Sequence, residues 1–247
     1  MSADRAKAQA LLCECFGPFG PIRFPYHSMG KVDTLALFGL DTEMEIFALY
    51  WHHRLQWKRV LDIGANLGLH SILMSRLGWH VSAYEPDPAH FEHLVDNLVA
   101  NNCVNVTPVC AAVHTSNGSA NFVRVLNNQT GNHLEGYKAS YGPRETIVVK
   151  TVDCRDLWSA FDFAKIDCEG NEAELAATMT IDDMRTFSCV MEVRNEANAK
   201  DIFEHFGAID VPVWSQKREW ARVTRLDDMP KLNREGSIYI GHRPPWD

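Results

Sequence analysis

The sequence predicts an α/β protein built around a doubly wound, mostly parallel sheet. Short apolar runs alternate with helical patterns from residue 60 to residue 206, the order that parallel strands and crossover helices require. The first apolar run, Val60–Ile63, leads directly into the turn Gly64–Gly68, and a helical pattern begins at Leu69. A strand, a tight turn and a helix in this order are typical of a site that holds a nucleotide-like ligand at a helix N-terminus.

A second strand is predicted from Trp79 to Glu85, and a helix follows it. Asp87 is a suitable N-cap for that helix, and Pro88 fits its first turn, where a missing N–H leaves no hydrogen bond unmade. Apolar residues then recur at the spacing of one helix face: Phe91, Leu94, Val95 and Leu98. We expect this face to lie on the sheet.

A third strand is predicted over Val104–Val113, apolar on both faces as a central parallel strand should be. The stretch that follows differs in kind, because two β-rich runs at 120–126 and 146–152 flank a polar loop that contains glycine. We interpret residues 119–150 as an inserted β arm. Its tip carries polar residues that indicate a mobile or functional loop: Asn127, Asn128, Gln129, Asn132 and His133.

The remaining chain continues the alternation. Asp153 is predicted to cap a short helix that ends at Trp158. Further strands are predicted at 163–167, 189–193, 211–214 and 237–240, and further helices at 171–179 and around 202–206. Ligands of doubly wound sheets bind beyond the carboxyl ends of the strands. The residues at those ends are Asp62, Glu85, Cys110, Ala111, Ala112, Asp167, Glu169 and Glu192.

Residues 1–56 are predicted to form a helical, aromatic-rich extension ahead of the main domain, residues 57–247. One helix is predicted from Ala6 to Cys15, and a second from Thr42 to about Leu55 with Asp41 as its N-cap. The second helix places apolar residues on one face: Met44, Phe47, Ala48 and Trp51. Two interpretations stay open: a cap packed on the core, or a lid or homo-oligomer contact beside the substrate.

Composition and charge argue against several classes of protein. The net charge of -8 disfavours a nucleic-acid partner, since phosphate binding needs a basic face. Residues 1–12 lack the apolar stretch of a secretory signal, and no window approaches the ~18 apolar residues of a membrane span. We therefore expect a cytoplasmic protein. The seven cysteines form no Cys-x-x-Cys pair, so we expect reduced thiols and no zinc site.

Asp62 and Asn66 bear on which ligand the first turn would hold. Asp62 stands at the strand end, where its charge would repel a bound pyrophosphate. Asn66 occupies a place where dinucleotide folds need glycine. S-adenosylmethionine carries an ammonium and a sulfonium and no phosphate, so a carboxylate favours it. Asp62 could also close the turn through the turn's own N–H groups, and Glu85 suits the ribose of either cofactor.

Three motifs together resemble the class I S-adenosylmethionine-dependent methyltransferases, and within them the FkbM family. They are residues 60–68, residues 84–88 with the helix that follows, and residues 165–172, and the resemblance covers roughly residues 60–206. It implies a Rossmann-like, seven-stranded sheet with an antiparallel last strand. It also implies methyl transfer to a hydroxyl of a small molecule, such as a sugar, glycolipid or polyketide-like compound, with S-adenosylhomocysteine as product.

The predicted cofactor residues lie in these motifs and at the end of the third strand. They are Asp62, Gly64, Ala65, Asn66, Gly68, Ser71, Glu85, Pro86, Ala112 and Asp167. Many relatives hold the adenine amine with an acid, whereas residues 110–112 of this chain contain none, so backbone groups would have to hold it. The candidates for removing the acceptor's proton are Asp167, Glu169, Glu192 and His133.

Three of these catalytic candidates also have structural interpretations. Asp167 is the first choice, because the fourth strand adjoins the first in this topology. Glu169 could instead cap the next helix, Glu192 could pair with Arg194, and His133 could be a solvated loop residue. The three carboxylates would also suit Mg²⁺, although we assign no metal. An NAD-dependent oxidoreductase and a non-catalytic cofactor-binding module are the alternative functions.

Overall fold

The computed structural model describes residues 17–24, 28–29, 32–33, 41–126, 131–137 and 142–247. The strands are β1 (Ser28–Met29), β2 (Val32–Asp33), β3 (Arg59–Ile63), β4 (His80–Tyr84), β5 (Val106–Val109), β6 (Ala112–His114), β7 (Gly118–Val125), β8 (His133–Leu134), β9 (Arg144–Asp153), β10 (Phe163–Ile166), β11 (Ser188–Glu192), β12 (Val213–Ser215), β13 (Ala221–Arg222) and β14 (Ser237–Ile240). The helices are α1 (Asp41–His52), α2 (Leu69–Arg76), α3 (Pro88–Ala100), α4 (Arg155–Trp158), α5 (Glu172–Ala176), α6 (Ile181–Met184) and α7 (Glu196–Ala208). The helix predicted at 6–15 and part of the polar loop, residues 127–130, lie outside the described residues.

Eight strands form the central sheet, in the order β13-β12-β14-β11-β10-β3-β4-β5. The five strands from β11 to β5 in this order are parallel, and β14 is antiparallel to both β11 and β12. The prediction of a doubly wound, mostly parallel sheet with an antiparallel last strand is therefore confirmed. The two-residue strand β13 adds an eighth strand to the seven that the resemblance implied.

Both faces of the central sheet are covered, because alternate residues of its strands pack into different hydrophobic clusters. Phe163 of β10 packs with residues of α1 and α2, whereas Ala164 and Ile166 pack with residues of α5 and α7. Successive side chains of a strand point to opposite faces, and helices cover both faces of a parallel sheet. Lys165 consequently lies on the α1 side of the sheet.

The prediction of one long third strand over Val104–Val113 is wrong. The chain forms β5 at the edge of the central sheet, leaves it, and enters β6 in a second sheet. Pro108 gives the physical reason, since proline cannot donate a ladder hydrogen bond and is confined to edge strands. β5 is accordingly only partly buried, and Val104 ahead of it is 96% exposed.

The inserted arm is a four-stranded sheet in the order β6-β9-β7-β8. Its longest pairing is antiparallel, from Gly118 opposite Thr151 to Val125 opposite Arg144. A small apolar cluster lies on one face of this sheet: Ala112, Phe122, Leu134 and Val149. Three of these residues also line the cavity described below, so the arm forms one of its walls.

The N-terminal extension packs on the core through one face of α1. Phe47 and Tyr50 are buried, and the ring of Tyr50 lies 5.9 Å from that of Phe163. Met44 and Trp51, which the sequence places on the same face as Phe47, are instead 47% and 38% exposed. The buried face of α1 therefore packs on the core, as the cap interpretation expects. A lid or a homo-oligomer contact through the extension stays a prediction. The antiparallel pair β1–β2 was not predicted.

The short helices α4 and α5 differ from their predicted bounds, α4 at its start and α5 at its end. The carboxylate of Asp153 accepts the N–H of Arg155 at 3.0 Å, as a cap does, although α4 begins two residues later. α5 ends at Ala176, earlier than predicted, because Thr180 forms a capping box with Asp183 and starts the separate helix α6.

The five cysteines within the described residues are free thiols. No helix in the described part of the chain is long and apolar enough to cross a membrane.

Candidate functional site

A cavity lies at the carboxyl ends of β3, β4 and β10 and is closed on one side by the inserted arm. Its lining includes the turn after β3, the end of β4 and the segment after β10, together with residues of α1, α2 and the inserted arm. Among the predicted site residues, it includes Gly64, Ala65, Asn66, Glu85, Pro86, Ala112, Asp167 and Glu169. Among the described residues, those predicted but absent from the lining are Asp62, Gly68, Ser71, Glu192 and His133.

The turn after β3 is held in place by its own backbone and by the neighbouring strands. The N–H groups of Gly64 and Ala65 both donate to the carbonyl of Tyr84, at 3.0 and 2.9 Å. Gly64 has a positive φ of 79°, and a Cβ on it would lie 1.8 Å from the carbonyl oxygen of Asp167. Only glycine fits here, because the turns after β3 and β10 approach each other so closely.

Glu85 is a buried carboxylate that fastens this turn to the end of β4. Its Oε2 accepts the N–H of Asn66 at 2.8 Å, and its Oε1 accepts the N–H of Asp87 at 2.9 Å. Burial raises the pKa of Glu85 to about 7, although both hydrogen bonds favour the ionised form. Each carboxylate oxygen has a second lone pair, so the group can still accept hydrogen bonds from a ligand in the cavity.

Asp62 lies behind the turn and does not close it. Its carboxylate is fully buried, and Oδ2 accepts the hydroxyl of Ser71 of α2 at 2.5 Å. Oδ1 is buried without a hydrogen-bond partner among the described residues. The turn-closing role that the sequence allowed for Asp62 belongs to Glu85 instead, and a contact between Asp62 and a cofactor stays a prediction.

Asp167 and Lys165 form a charged pair beside the cavity. Lys165 Nζ donates to Asp167 Oδ2 at 3.2 Å, and Lys165 is only 8% exposed. Burial alone would raise the pKa of Asp167, but the ammonium of Lys165 and a hydrogen bond from Glu192 hold it below its usual range. Asp167 is therefore ionised at neutral pH, which is the state that a proton acceptor needs.

Glu192 and Glu169 share one cation, Arg194. Arg194 forms ion pairs with both carboxylates, at 3.0 Å to Glu192, and its guanidinium is largely buried. Burial and the nearby charge of Asp167 raise the pKa of Glu192 well above its usual range. The structural interpretation of Glu192 as a partner of Arg194 is confirmed, and Glu169, which has a positive φ of 65°, directs its carboxylate to the same guanidinium.

Glu172, the first residue of α5, fastens the turn that leads into this helix, and Asn171 at the N-cap makes no side-chain capping hydrogen bond. The Oε1 atom of Glu172 accepts the N–H groups of Cys168 and Gly170, at 3.0 and 3.1 Å. Burial raises the pKa of Glu172. The sequence offered no signal to choose between Glu169 and Glu172, because both stand close to the start of α5.

His133 is not a solvated loop residue. It lies in β8 and is 1% exposed, with its Nδ1 atom 2.7 Å from the carbonyl oxygen of Gly131. Its neighbours Asn132 and Leu134 line the cavity, whereas His133 does not. A role for His133 as a base beside the acceptor is therefore not supported by its position.

Several cavity residues were not identified from the sequence. Glu43 of α1 and His70 of α2 both line the cavity, with His70 Nε2 3.2 Å from Glu43 Oε2. The Nδ1 atom of His70 lies 2.9 Å from the hydroxyl of Tyr50. Of these cavity residues, only Lys165 could have been identified from the sequence. A lysine inside the apolar run of a central strand must be buried with a partner.

Three carboxylates converge near the end of β10, although they are not the three that the sequence suggested for Mg²⁺. One oxygen each from Asp167, Glu172 and Glu192 lies within 4.8 Å of the others, while Glu169 turns to Arg194. Glu172 is already used by the turn, and Lys165 is paired with Asp167. We assign no metal to this cluster.

The turn suits S-adenosylmethionine better than a dinucleotide. A pyrophosphate needs free backbone N–H groups, but those of Gly64, Ala65, Asn66 and Gly68 all donate within the protein. The buried Oδ1 atoms of Asp62 and Asn66 have no hydrogen-bond partner among the described residues. Such acceptor atoms are satisfied by a cationic or N–H-bearing ligand and not by a phosphate.

Comparison with known proteins identifies the family of the chain. The methyltransferase FkbM domain matches residues 62–211. No curated protein sequence matches the chain at a significant level. The chain is similar to the solved METTL16 MTase domain, with 18% identity, a TM-score of 0.51, and coverage of 98% of this chain and 80% of that one. It also matches an O-methyltransferase from Bacillus cereus in complex with S-adenosylhomocysteine, with 12% identity, a TM-score of 0.44, and coverage of 83% and 84%. Because the family match spans more than half of its length and the sheet has the corresponding topology, the chain belongs to the FkbM methyltransferase domain family and is an S-adenosylmethionine-dependent methyltransferase.

Proposed function

We propose that the protein methylates a hydroxyl oxygen of a small molecule. The observation that carries this proposal is the ionised carboxylate of Asp167, which lines the cavity beside a buried lysine. Transfer to a hydroxyl requires that its proton be taken up, and a positioned carboxylate can do this. A thioether or another acceptor without an exchangeable proton would make no use of such a base.

The cofactor is proposed to lie along the cavity from the turn after β3 to the end of β4. The cavity wall formed by Gly64, Ala65 and Asn66 would receive its methionine end, with the negative charge of Asp62 behind the turn favouring its ammonium group. Glu85 would accept hydrogen bonds from the ribose hydroxyls. Ala112, on the arm side, would face the adenine.

When bound, the cofactor supplies an electrophilic methyl group whose bonding electron pair leaves with sulfur. The protein's own contribution is mainly alignment, because an in-line displacement needs the acceptor oxygen opposite the departing sulfur. Asp167 takes the hydroxyl proton as the carbon–oxygen bond forms.

The cofactor assignment is tested by calorimetric titration of S-adenosylhomocysteine into the wild type, Asp62→Asn and Ser71→Ala. Asparagine keeps the volume of Asp62 and can still accept from Ser71, so the first variant removes the charge and replaces the second acceptor oxygen by an amide donor. We expect it to weaken binding by about tenfold, which corresponds to roughly 1.4 kcal/mol. Ser71→Ala keeps the charge and should bind within about threefold of the wild type. Equal affinity of Asp62→Asn and the wild type would contradict a role for Asp62.

The reaction class is tested by incubating the protein with methyl-deuterated S-adenosylmethionine and a metabolite extract. Mass spectrometry then identifies compounds that gain one labelled methyl group, and fragmentation places the label on oxygen, nitrogen or carbon. We expect the label on oxygen. A label found on nitrogen or carbon alone would refute the hydroxyl acceptor and leave the methyltransferase assignment intact.

A further inference from the structure

A second cavity adjoins the first, and Lys165 lies at their junction. This second cavity lies between α1 and the carboxyl ends of β10 and β11, beside the start of β14. It shares three lining residues with the first cavity: Glu43, Lys165 and Asp167. The second cavity is small, about 30 Å³, so it has room for one hydroxyl of an acceptor, whose other atoms would lie outside it.

Lys165 has hydrogen-bonding capacity that the described residues do not use. Its ammonium carries three N–H donors, and the bond to Asp167 Oδ2 is the one that the described residues accept. The residue is only 8% exposed, so the other two donors have little access to bulk water. Leaving buried charged donors unsatisfied is costly, and a polar group in the adjoining cavity would remove that cost.

Three carboxylates keep Lys165 charged despite its burial. Burial would lower the pKa of the ammonium, but Asp167, Asp62 and Glu43 together raise it. Asp62 stands directly opposite Lys165 in the pairing of β3 with β10, and Glu43 approaches from α1. The junction thus presents N–H donors next to carboxylate acceptors on both sides.

We propose that Lys165 is a further catalytic residue, whose ammonium binds the oxygen of the acceptor hydroxyl in the second cavity beside the cofactor. This inference rests on the proposed function and specifies its acceptor subsite. The hydroxyl oxygen accepts from Lys165 through one lone pair, while its proton points to Asp167. A hydroxyl is both donor and acceptor, so it satisfies both neighbours at once.

The same arrangement selects the chemical class of the acceptor. A phosphate or carboxylate at the junction would lie against the charges of Glu43 and Asp167 and be repelled. A protonated amine has no lone pair, so it cannot accept a hydrogen bond from the ammonium of Lys165. An uncharged hydroxyl, as in a neutral sugar or polyol, is not repelled by the carboxylates and has a lone pair for Lys165.

The transfer step balances with these groups alone. One lone pair of the hydroxyl oxygen forms the new bond to the methyl carbon, and the carbon–sulfur pair leaves with sulfur. The O–H proton passes to Asp167, whose carboxylate becomes neutral. Lys165 keeps all three of its protons and stabilises the negative charge that develops on the oxygen before its bond to carbon is complete.

The experiment is nuclear magnetic resonance of the side-chain ammonium of isotope-labelled lysine, with and without S-adenosylhomocysteine. The signal of Lys165 is assigned by its absence in Lys165→Arg, which keeps the charge. Methyl α-glucopyranoside, glucosamine and glucose 6-phosphate are then titrated separately. We expect a saturable shift of this signal with the neutral glycoside and none with the two charged sugars.

Lys200→Met serves as the matched control, because Lys200 is exposed on α7 and should leave the Lys165 response unchanged. An unmoved Lys165 signal with the glycoside, or an equal shift with glucose 6-phosphate, would overturn the inference. Binding of S-adenosylhomocysteine tests the cofactor assignment separately. If it fails to bind the wild type, the cofactor assignment fails, while the glycoside titration of the free protein still judges the Lys165 subsite.

Discussion

The affinity for S-adenosylhomocysteine should fall as the pH drops below about 7, and Glu85 should be the cause. Burial raises the pKa of Glu85 to about 7 from its ordinary value of 4.5. In the proposed binding mode the ionised carboxylate would accept hydrogen bonds from the ribose hydroxyls, and the protonated form is a poorer acceptor. Protonation therefore competes with binding across the physiological range.

The size of the effect follows from the titration of a single group. One pH unit below its pKa, about one in eleven molecules has an ionised Glu85, so the apparent affinity drops roughly tenfold. The raised pKa of Glu85 also makes the free energy of unfolding depend on pH. Because the folded pKa is raised, the folded state holds a proton between pH 4.5 and about 7 that the unfolded chain has lost. The free energy of unfolding contributed by Glu85 is therefore fully present below that window and falls by about 3 kcal/mol as pH rises through it.

The assay is calorimetric titration of S-adenosylhomocysteine at a series of pH values, for the wild type and for Glu85→Gln. The glutamine variant should bind more weakly at high pH and show a flat profile near pH 7. A wild-type affinity that does not change below pH 7 would refute the reasoning. So would a Glu85→Gln profile that falls as steeply as that of the wild type.

The remaining predictions concern stability and are checked by urea denaturation. Gly64→Ala should destabilise the fold by at least about 4 kcal/mol, since its Cβ would collide with a backbone carbonyl. Gly78→Ala has a similar positive φ of 80° but open space, and should lose only about 1 to 2 kcal/mol. Arg194→Met should cost about 3 kcal/mol at alkaline pH by leaving buried carboxylates unpaired, and less at acidic pH, where Glu192 with its raised pKa becomes neutral. The exposed control Arg185→Met should stay within about 0.5 kcal/mol of the wild type, and a loss equal to that of Arg194→Met would contradict the argument.

The long third strand shows how a sequence pattern misleads. An apolar run such as Val104–Val113 is compatible with a buried strand, but periodicity cannot tell a central strand from an edge strand. Pro108 was the residue that indicated an edge strand. Because it cannot donate to a neighbouring strand, the chain leaves the central sheet after β5 and continues in the second one.

The three glutamates near the site show a different limit. Glu169, Glu172 and Glu192 all stand at element ends where a carboxylate can bind a ligand, cap a helix or pair with a cation. The pairing of Glu192 with Arg194 follows from their spacing in the sequence, whereas the second ion pair, between Arg194 and Glu169, depends on how the segments after β10 and β11 pack. The contacts of Glu172 depend on the conformation of the turn before α5, which the sequence pattern did not predict.

The sequence by itself predicted the alternation of strands and helices after residue 60 and the turn after β3, because these depend on local periodicity, glycine and capping residues. Its three motifs also indicated the family. It also determined that Asp167 stands at a strand end beside that turn. Only the tertiary structure decided that Glu85 closes the turn, that Asp62 is buried behind it, and that Lys165 joins two cavities. The physical reason is that hydrogen-bond partners and charge balance are set by residues distant in the chain, such as Glu43 and Lys165, which the packing of α1 on the sheet brings together.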